Sequence, residues 1–270
     1  MGPVTEDPKT HADGYRLVAA GKTDVGRERD HNEDRLLLRP AIDLFVVADG
    51  MGGHNAGEIA SALAALSLEN CLAAARGGTL PEELTADPRP LSSDARNLVA
   101  AARKANADVY EISQSHPEHA GMGTTLVAAH FSPASGEVHV AHVGDSRCYR
   151  YRGGKLQQLT QDHSLIGEAM AFKPDITEAE LAMFPRNVIS RALGRGPTVE
   201  IDVRTEPVAA GDGYLLCSDG LCGMVNDAAI TRVLESETDV ERACQKLIDA
   251  ANAAGGQDNV TVVFVRVEAV

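Results

Sequence analysis

The chain has 270 residues, 44 % of them hydrophobic, and a formal net charge of -14. That is enough apolar material for one large domain, and its acidity argues against a uniformly basic nucleic-acid surface. Five scattered cysteines with no CxxC pair exclude a disulfide framework and a thiolate zinc site, and they fit a reducing cytoplasm.

Residues 1–14 are polar and carry Pro and Gly, so they read as a tail before a domain spanning 15–270. No basic segment leads into an apolar stretch, so no signal peptide is expected, and no run is expected to span a membrane. Short apolar runs predict strands over 44–48, 124–131, 137–143, 147–152, 214–217 and 260–267. Helical spacing joins Ile59, Ala62, Leu63 and Leu66, then Leu98, Ala102, Ala105, Val109 and Ile112, and finally Val240, Ala243, Leu247 and Ala251. Residues 76–96, rich in Gly, Pro and Asp, read as a surface connection, and 160–198 as a helix-prone polar insertion over one end of the sheets. Helices that arrive in pairs predict an α+β layered domain in which helices cover antiparallel sheets.

Carboxylates recur at the ends of the apolar runs. Leu-Phe-Val-Val-Ala runs into Asp49-Gly50, Tyr-Leu-Leu-Cys-Ser into Asp219-Gly220, and Val-Ala-His-Val-Gly into Asp145. Asp258-Asn259 opens the last strand, and Glu33-Asp34 precedes Leu36–Leu38. One Asp-Gly after a strand is ordinarily a turn. Several strands ending in this way point instead to carboxylates converging at one edge. Hard oxygen ligands without His or Cys select Mg²⁺, Mn²⁺ or Ca²⁺ over zinc, and the Gly50 carbonyl can join them.

Six blocks carry a family resemblance: TDVGRERDHNED (23–34), VVADGMGGH (46–54), GMGTT (121–125), VGDSR (143–147), CSDG (217–220) and GGQDNVT (255–261). In this order the chain resembles the metal-dependent protein phosphatases (PPM, or type 2C) over nearly all of the domain. The resemblance implies a four-layer α-β-β-α sandwich of two antiparallel sheets flanked by helices. It implies hydrolysis of phosphoserine and phosphothreonine with two Mn²⁺ or Mg²⁺ ions, and a third site in bacterial members. Asp49 then resembles the bridging carboxylate, and Asp219 and Asp258 the other ligands of the first metal. The Gly50 carbonyl with Glu33 or Asp34 resembles the second metal's shell, and Asp145 with Asp219 the third site. Arg29, four residues before Glu33, resembles the arginine that grips phosphate.

His54 is a candidate general acid, His163 a candidate for the hinge of a flap over 160–198, and His139 and His142 are read as structural. Thr124 and Thr125 are assigned to packing or support, and Gly52, Gly53, Gly121 and Gly123 to tight backbone near the site. No DxDx[TV] run, GxSxG elbow, P-loop or Cys-x5-Arg signature supports another phosphatase chemistry. A metal-free binding module is disfavoured because every ligand position keeps its carboxylate. A partner-specific regulatory member is disfavoured because no sensor domain fits. The expected protein is a cytoplasmic monomer acting on phosphorylated proteins and opposing a bacterial Ser/Thr kinase, without nucleic-acid or membrane partners.

Overall fold

The computed structural model describes residues 15–53, 55–76, 80, 82–181, 183–185 and 188–270, so the tail at 1–14 lies outside the described residues. The elements are β1 (Tyr15–Asp24), β2 (Asp34–Arg39), β3 (Leu44–Met51), α1 (Ala56–Ala75), α2 (Glu82–Thr85) and α3 (Ser93–Ser115). There follow β4 (Gly123–Thr124), β5 (Leu126–Ser132), β6 (Glu137–Val143), β7 (Arg147–Arg152), β8 (Lys155–Gln158), α4 (Leu165–Phe172) and α5 (Glu178–Leu181). The chain closes with β9 (Asp202–Pro207), β10 (Gly213–Cys217), α6 (Asp219–Cys222), α7 (Asp227–Ser236), α8 (Val240–Ala253) and β11 (Val260–Ala269).

Two antiparallel sheets result, one in the order β1-β11-β10-β7-β8, the other β2-β3-β5-β6-β9 with β4 paired to β3. Period-two alternation stacks them. Phe45 and Val47 on β3 meet Tyr214 and Leu216 on β10 in the core between the sheets. Leu44 and Val46 face the other way into α1 and α3. Leu215 and Cys217 face α8. The layers are therefore helix, sheet, sheet, helix, as expected.

The helices follow their local signals, with one exception. Ser92 caps α3 by accepting from the Ala95 N–H, and Asp239 caps α8 by accepting from the Arg242 N–H. The predicted buried faces of α3 and α8 hold. That of α1 is shifted: Ile59 and Leu63 pack only partly buried against the core, Leu66 is 45 % exposed, and the most buried positions include Ala60, Ala64, Ala65 and Leu68. Helix α1 lies between α3 and the sheet, where small side chains allow close approach. It is also long and apolar enough to pass for a membrane span, contrary to the sequence expectation, but it packs as a core helix.

The strand expected over 124–131 is interrupted at Thr125, which separates β4 from β5. Residues 160–198 leave the sheets after β8, carry α4 and α5, and return where Leu193 bridges to Thr124.

Candidate metal centre

The strand ends meet at one end of the sandwich. Asp49 lies near the end of β3, directly opposite Asp34 on β2. Asp145 sits in the turn between β6 and β7, Asp219 follows β10, and Asp258 precedes β11. Both sheets thus contribute. Arg29, Glu33, Asp49, Gly50, Asp145, Asp219 and Asp258 line one cleft of about 690 Å³. A second cleft of about 800 Å³ shares Arg29, Asp145, Asp219 and Asp258 with it. Asp34 is buried behind them.

Short local bonds fix these groups. The Thr124 hydroxyl donates to the Asp49 carbonyl at 2.9 Å, and the Asp49 N–H donates to the Thr125 hydroxyl at 2.9 Å. This is why the strand breaks at Thr125: its backbone and side chain serve Asp49 instead of a continuous ladder. The Gly50 N–H donates to the Glu33 carbonyl at 3.1 Å. A Cβ at Gly50 would lie 2.0 Å from the Gly57 carbonyl oxygen, so no other residue fits there. The Ser218 hydroxyl donates to Asp34 Oδ2 at 2.7 Å. Arg29 reaches across to Asp258, with NH2 at 2.8 Å from Oδ2.

The electrostatics are those of carboxylates confined together. Burial, then the Asp34, Asp219 and Asp145 charges, push Asp49 well above the carboxylate range. Burial raises Asp34 to about 7 against the opposing hydrogen bonds from Thr261 and Ser218. Burial, followed by the Asp219 charge, raises Asp145 to about 7. Asp219 is raised by burial and then by the Asp258 charge. Carboxylates this close cannot all remain ionised without a cation among them. The donor set fits one: Glu33 Oε1, Asp34 Oδ1, Asp145 Oδ1 and Asp219 Oδ1 are buried oxygens without hydrogen-bond partners among the described residues. All are hard oxygens, suited to Mg²⁺ or Mn²⁺.

The fold therefore brings together every sequence-predicted site residue except His54, which lies outside the described residues. Gly121 takes a φ of +77° and Gly123 abuts Leu193, but a Cβ at Gly53 would meet nothing within 4 Å, so the expectation of tight backbone fails there. Asn259 was missed. Its Oδ1 accepts from the Glu33 N–H at 2.8 Å, and its Nδ2 donates to the Val25 and His31 carbonyls. It staples the 25–33 loop to the last strand, and the only signal was its place in the Asp-Asn pair. Ser218 and Ser146, the latter 2.7 Å from the Thr125 hydroxyl, were missed likewise.

A separate group, His142, His163 and Asp202, has potential ligand atoms within 4.8 Å of one another. Arg191 already sets a cation there, with NH1 2.8 Å from Asp202 Oδ1 and 3.1 Å from His163 Nε2.

Comparison with known proteins agrees with this geometry. The family model for protein phosphatase 2C matches residues 26–261. A serine/threonine phosphatase from Listeria monocytogenes is 37 % identical over 253 residues, covering 92 % of this chain and 95 % of that protein. The crystal structure of the Mycobacterium tuberculosis serine/threonine phosphatase PstP superposes with a TM-score of 0.79 at 36 % identity, covering 93 % of this chain and 99 % of that one. A second structure of the PstP catalytic domain, in complex with two manganese ions, gives 0.78 at 34 % identity and covers 94 % and 99 %. With its motifs, layered fold and carboxylate cleft all in agreement, the chain belongs to the protein phosphatase 2C family of metal-dependent phosphoprotein phosphatases.

Proposed function

We propose that the chain hydrolyses phosphoserine and phosphothreonine in proteins at a dinuclear Mn²⁺ or Mg²⁺ centre, and that it opposes a Ser/Thr kinase. The observation that carries this reading is the set of buried carboxylate oxygens without hydrogen-bond partners among the described residues, on Glu33, Asp145 and Asp219 lining one cleft and on Asp34 behind it. Asp49, Asp219 and Asp258 would hold the first ion. Asp49, the Gly50 carbonyl and Glu33 or Asp34 would hold the second, with Asp145 and Asp219 at a third.

Bound there, such ions supply an activated water and neutralise the charge of the phosphoryl group. The protein's own residues do the rest. Thr124 and Thr125 fix the Asp49 backbone, so its carboxylate need not reorganise. Asp258 holds the Arg29 guanidinium at the cleft, where its remaining N–H groups are aimed for phosphate oxygens. Asn259 keeps the loop that carries Arg29 and Glu33 against β11. Asp34, hydrogen-bonded by Ser218, backs the cleft and presents one oxygen.

In this reading residues 15–270 are one phosphatase domain, 160–198 its flap and 1–14 a tail. Five free thiols support a reducing cytoplasm, and the protein works as a monomer on phosphorylated proteins. The test is hydrolysis of p-nitrophenyl phosphate with and without Mn²⁺, by wild type and by Asp49→Asn. Activity is expected only for metal-supplied wild type. Full turnover in a chelator-treated, metal-stripped sample would overturn the reading.

A further inference from the structure

His163 begins the departure of residues 160–198 from the sheets, and it is only 6 % exposed. Every polar group it has is committed. Its N–H donates to the Gly144 carbonyl at 2.9 Å, and its carbonyl accepts from the Ser190 N–H at 2.9 Å. Its Nδ1 lies 3.1 Å from the Gly144 backbone nitrogen. A backbone N–H can only donate, so Nδ1 accepts and the ring proton resides on Nε2. Nε2 faces both Asp202 Oδ2 at 3.2 Å and Arg191 Nη1 at 3.1 Å; carrying the ring proton it donates to Asp202 Oδ2, and Arg191 Nη1 spends its N–H on Asp202 Oδ1 at 2.8 Å. The His142 ring stacks on His163 with centroids 4.7 Å apart.

Two parts of the cleft meet at this ring. Gly144 has a φ of +103°, a conformation that a side chain would strain, and both of its backbone groups are bonded to His163. The next residue is Asp145, whose Oδ1 has no hydrogen-bond partner among the described residues. On the other side, Ser190 and Arg191 belong to the far wall of the same cleft.

We propose that His163 is a positioning residue that couples the Ser190–Arg191 wall of the cleft to the Asp145 carboxylate. It holds the Gly144–Asp145 turn through Nδ1, and the wall through its carbonyl and Asp202. The inference rests on the reading of Asp145 as ligand to a third, weaker ion. Coupling is reciprocal: a phosphopeptide seated against the wall tightens the ion at Asp145, and that ion tightens the peptide.

The test follows Mn²⁺ binding through the paramagnetic resonance signal of the free ion, with and without a non-hydrolysable phosphopeptide. It compares wild type, Asp145→Ala, His163→Asn and His163→Gln. The Asn amide oxygen falls near the position of Nδ1 and keeps the Gly144 bond, whereas Gln reaches Asp202 but forfeits it. Asp145→Ala is expected to lose the weakest ion. His163→Gln is expected to weaken that ion about tenfold, the worth of one buried hydrogen bond, and to abolish the peptide effect. In both variants the tighter ions stay as in wild type, and His163→Asn restores the weak one. Nitrogen-15 spectra of the unmodified protein should show the Nε2–H tautomer of His163. The Nδ1–H tautomer, or equal behaviour of the Asn and Gln variants, would overturn the proposal. If Asp145→Ala loses the weak ion and His163→Gln keeps it, the coupling alone is wrong. If Asp145→Ala retains every ion, the reading of Asp145 falls and the coupling with it.

Discussion

Replacing Arg29 by Ala separates phosphate binding from chemistry. The guanidinium is half-exposed, and one nitrogen bonds Asp258 at 2.8 Å. The rest of the group is available to a phosphate in the cleft. A charge-assisted contact of this kind contributes about 1.5–3 kcal/mol, and solvent access places Arg29 toward the lower end. With about 1.4 kcal/mol per factor of ten, KM for a phosphopeptide should rise about 10- to 30-fold. The non-bridging oxygens are charged both before and during transfer, so the loss falls on KM more than on kcat. Arg29→Lys keeps the charge but not the fork and should lie between. Removing a cation beside Asp258 should leave Mn²⁺ affinity equal or greater. Steady-state kinetics at saturating Mn²⁺ is the assay. Unchanged KM and kcat would mean that Arg29 serves only Asp258. A large loss in kcat at constant KM would mean that it acts on the transition state, and either result refutes the argument.

Three further outcomes follow from the same geometry. Asp49→Asn should lower turnover by orders of magnitude while the circular dichroism spectrum stays unchanged, because a carboxylate central to the cluster is lost but its backbone anchors remain; near-normal turnover at modest Mn²⁺ would show that Asp49 holds no essential ion. Asp145→Asn should raise the Tm of the metal-free protein at pH 8 but not at pH 4, since a carboxyl raised to about 7 by burial and Asp219 destabilises the fold only where it must ionise; an equal effect at both pH values would exclude that cause. His130, lowered to about 4 by burial, binds its proton more readily when unfolded, so stability should fall from pH 6.5 towards 4. The loss should be roughly 2–3 kcal/mol by urea titration and smaller in His130→Gln.

Which parts of the fold were legible follows from burial. The six strands read from the sequence correspond to β3, β5, β6, β7, β10 and β11, the interior strands of the two sheets. Covered on both faces, all but β7 (Arg-Cys-Tyr-Arg-Tyr-Arg) appear as largely apolar runs. The sheet edges β1, β2, β8 and β9 are paired on one side only, and β9, Asp-Val-Arg-Thr-Glu-Pro, carries almost no apolar signal. The face of α1 was misread because alanine packing leaves little periodic contrast. The carboxylates were legible because each is adjacent to a strong strand. Their supports were not: Asn259, Ser218 and Ser146 act on residues distant in sequence, and nothing local marks a side chain that braces a loop more than 200 positions away.

The two halves of the site belong to different sheets. Asp34 and Asp49 come from β2 and β3, while Asp219 and Asp258 flank β10 and β11. The bond from Ser218 to Asp34 already joins the two at this end. An ion ligated by Asp49 and Asp219 together is therefore a clasp across the mouth of the sandwich as well as a reagent. Metal loss should loosen this end first, with amide exchange quickening where β3 and β10 terminate while the opposite end, packed around Phe131 and Phe45, stays closed. Catalytic competence and the closure of the two sheets would then be withdrawn by one and the same event.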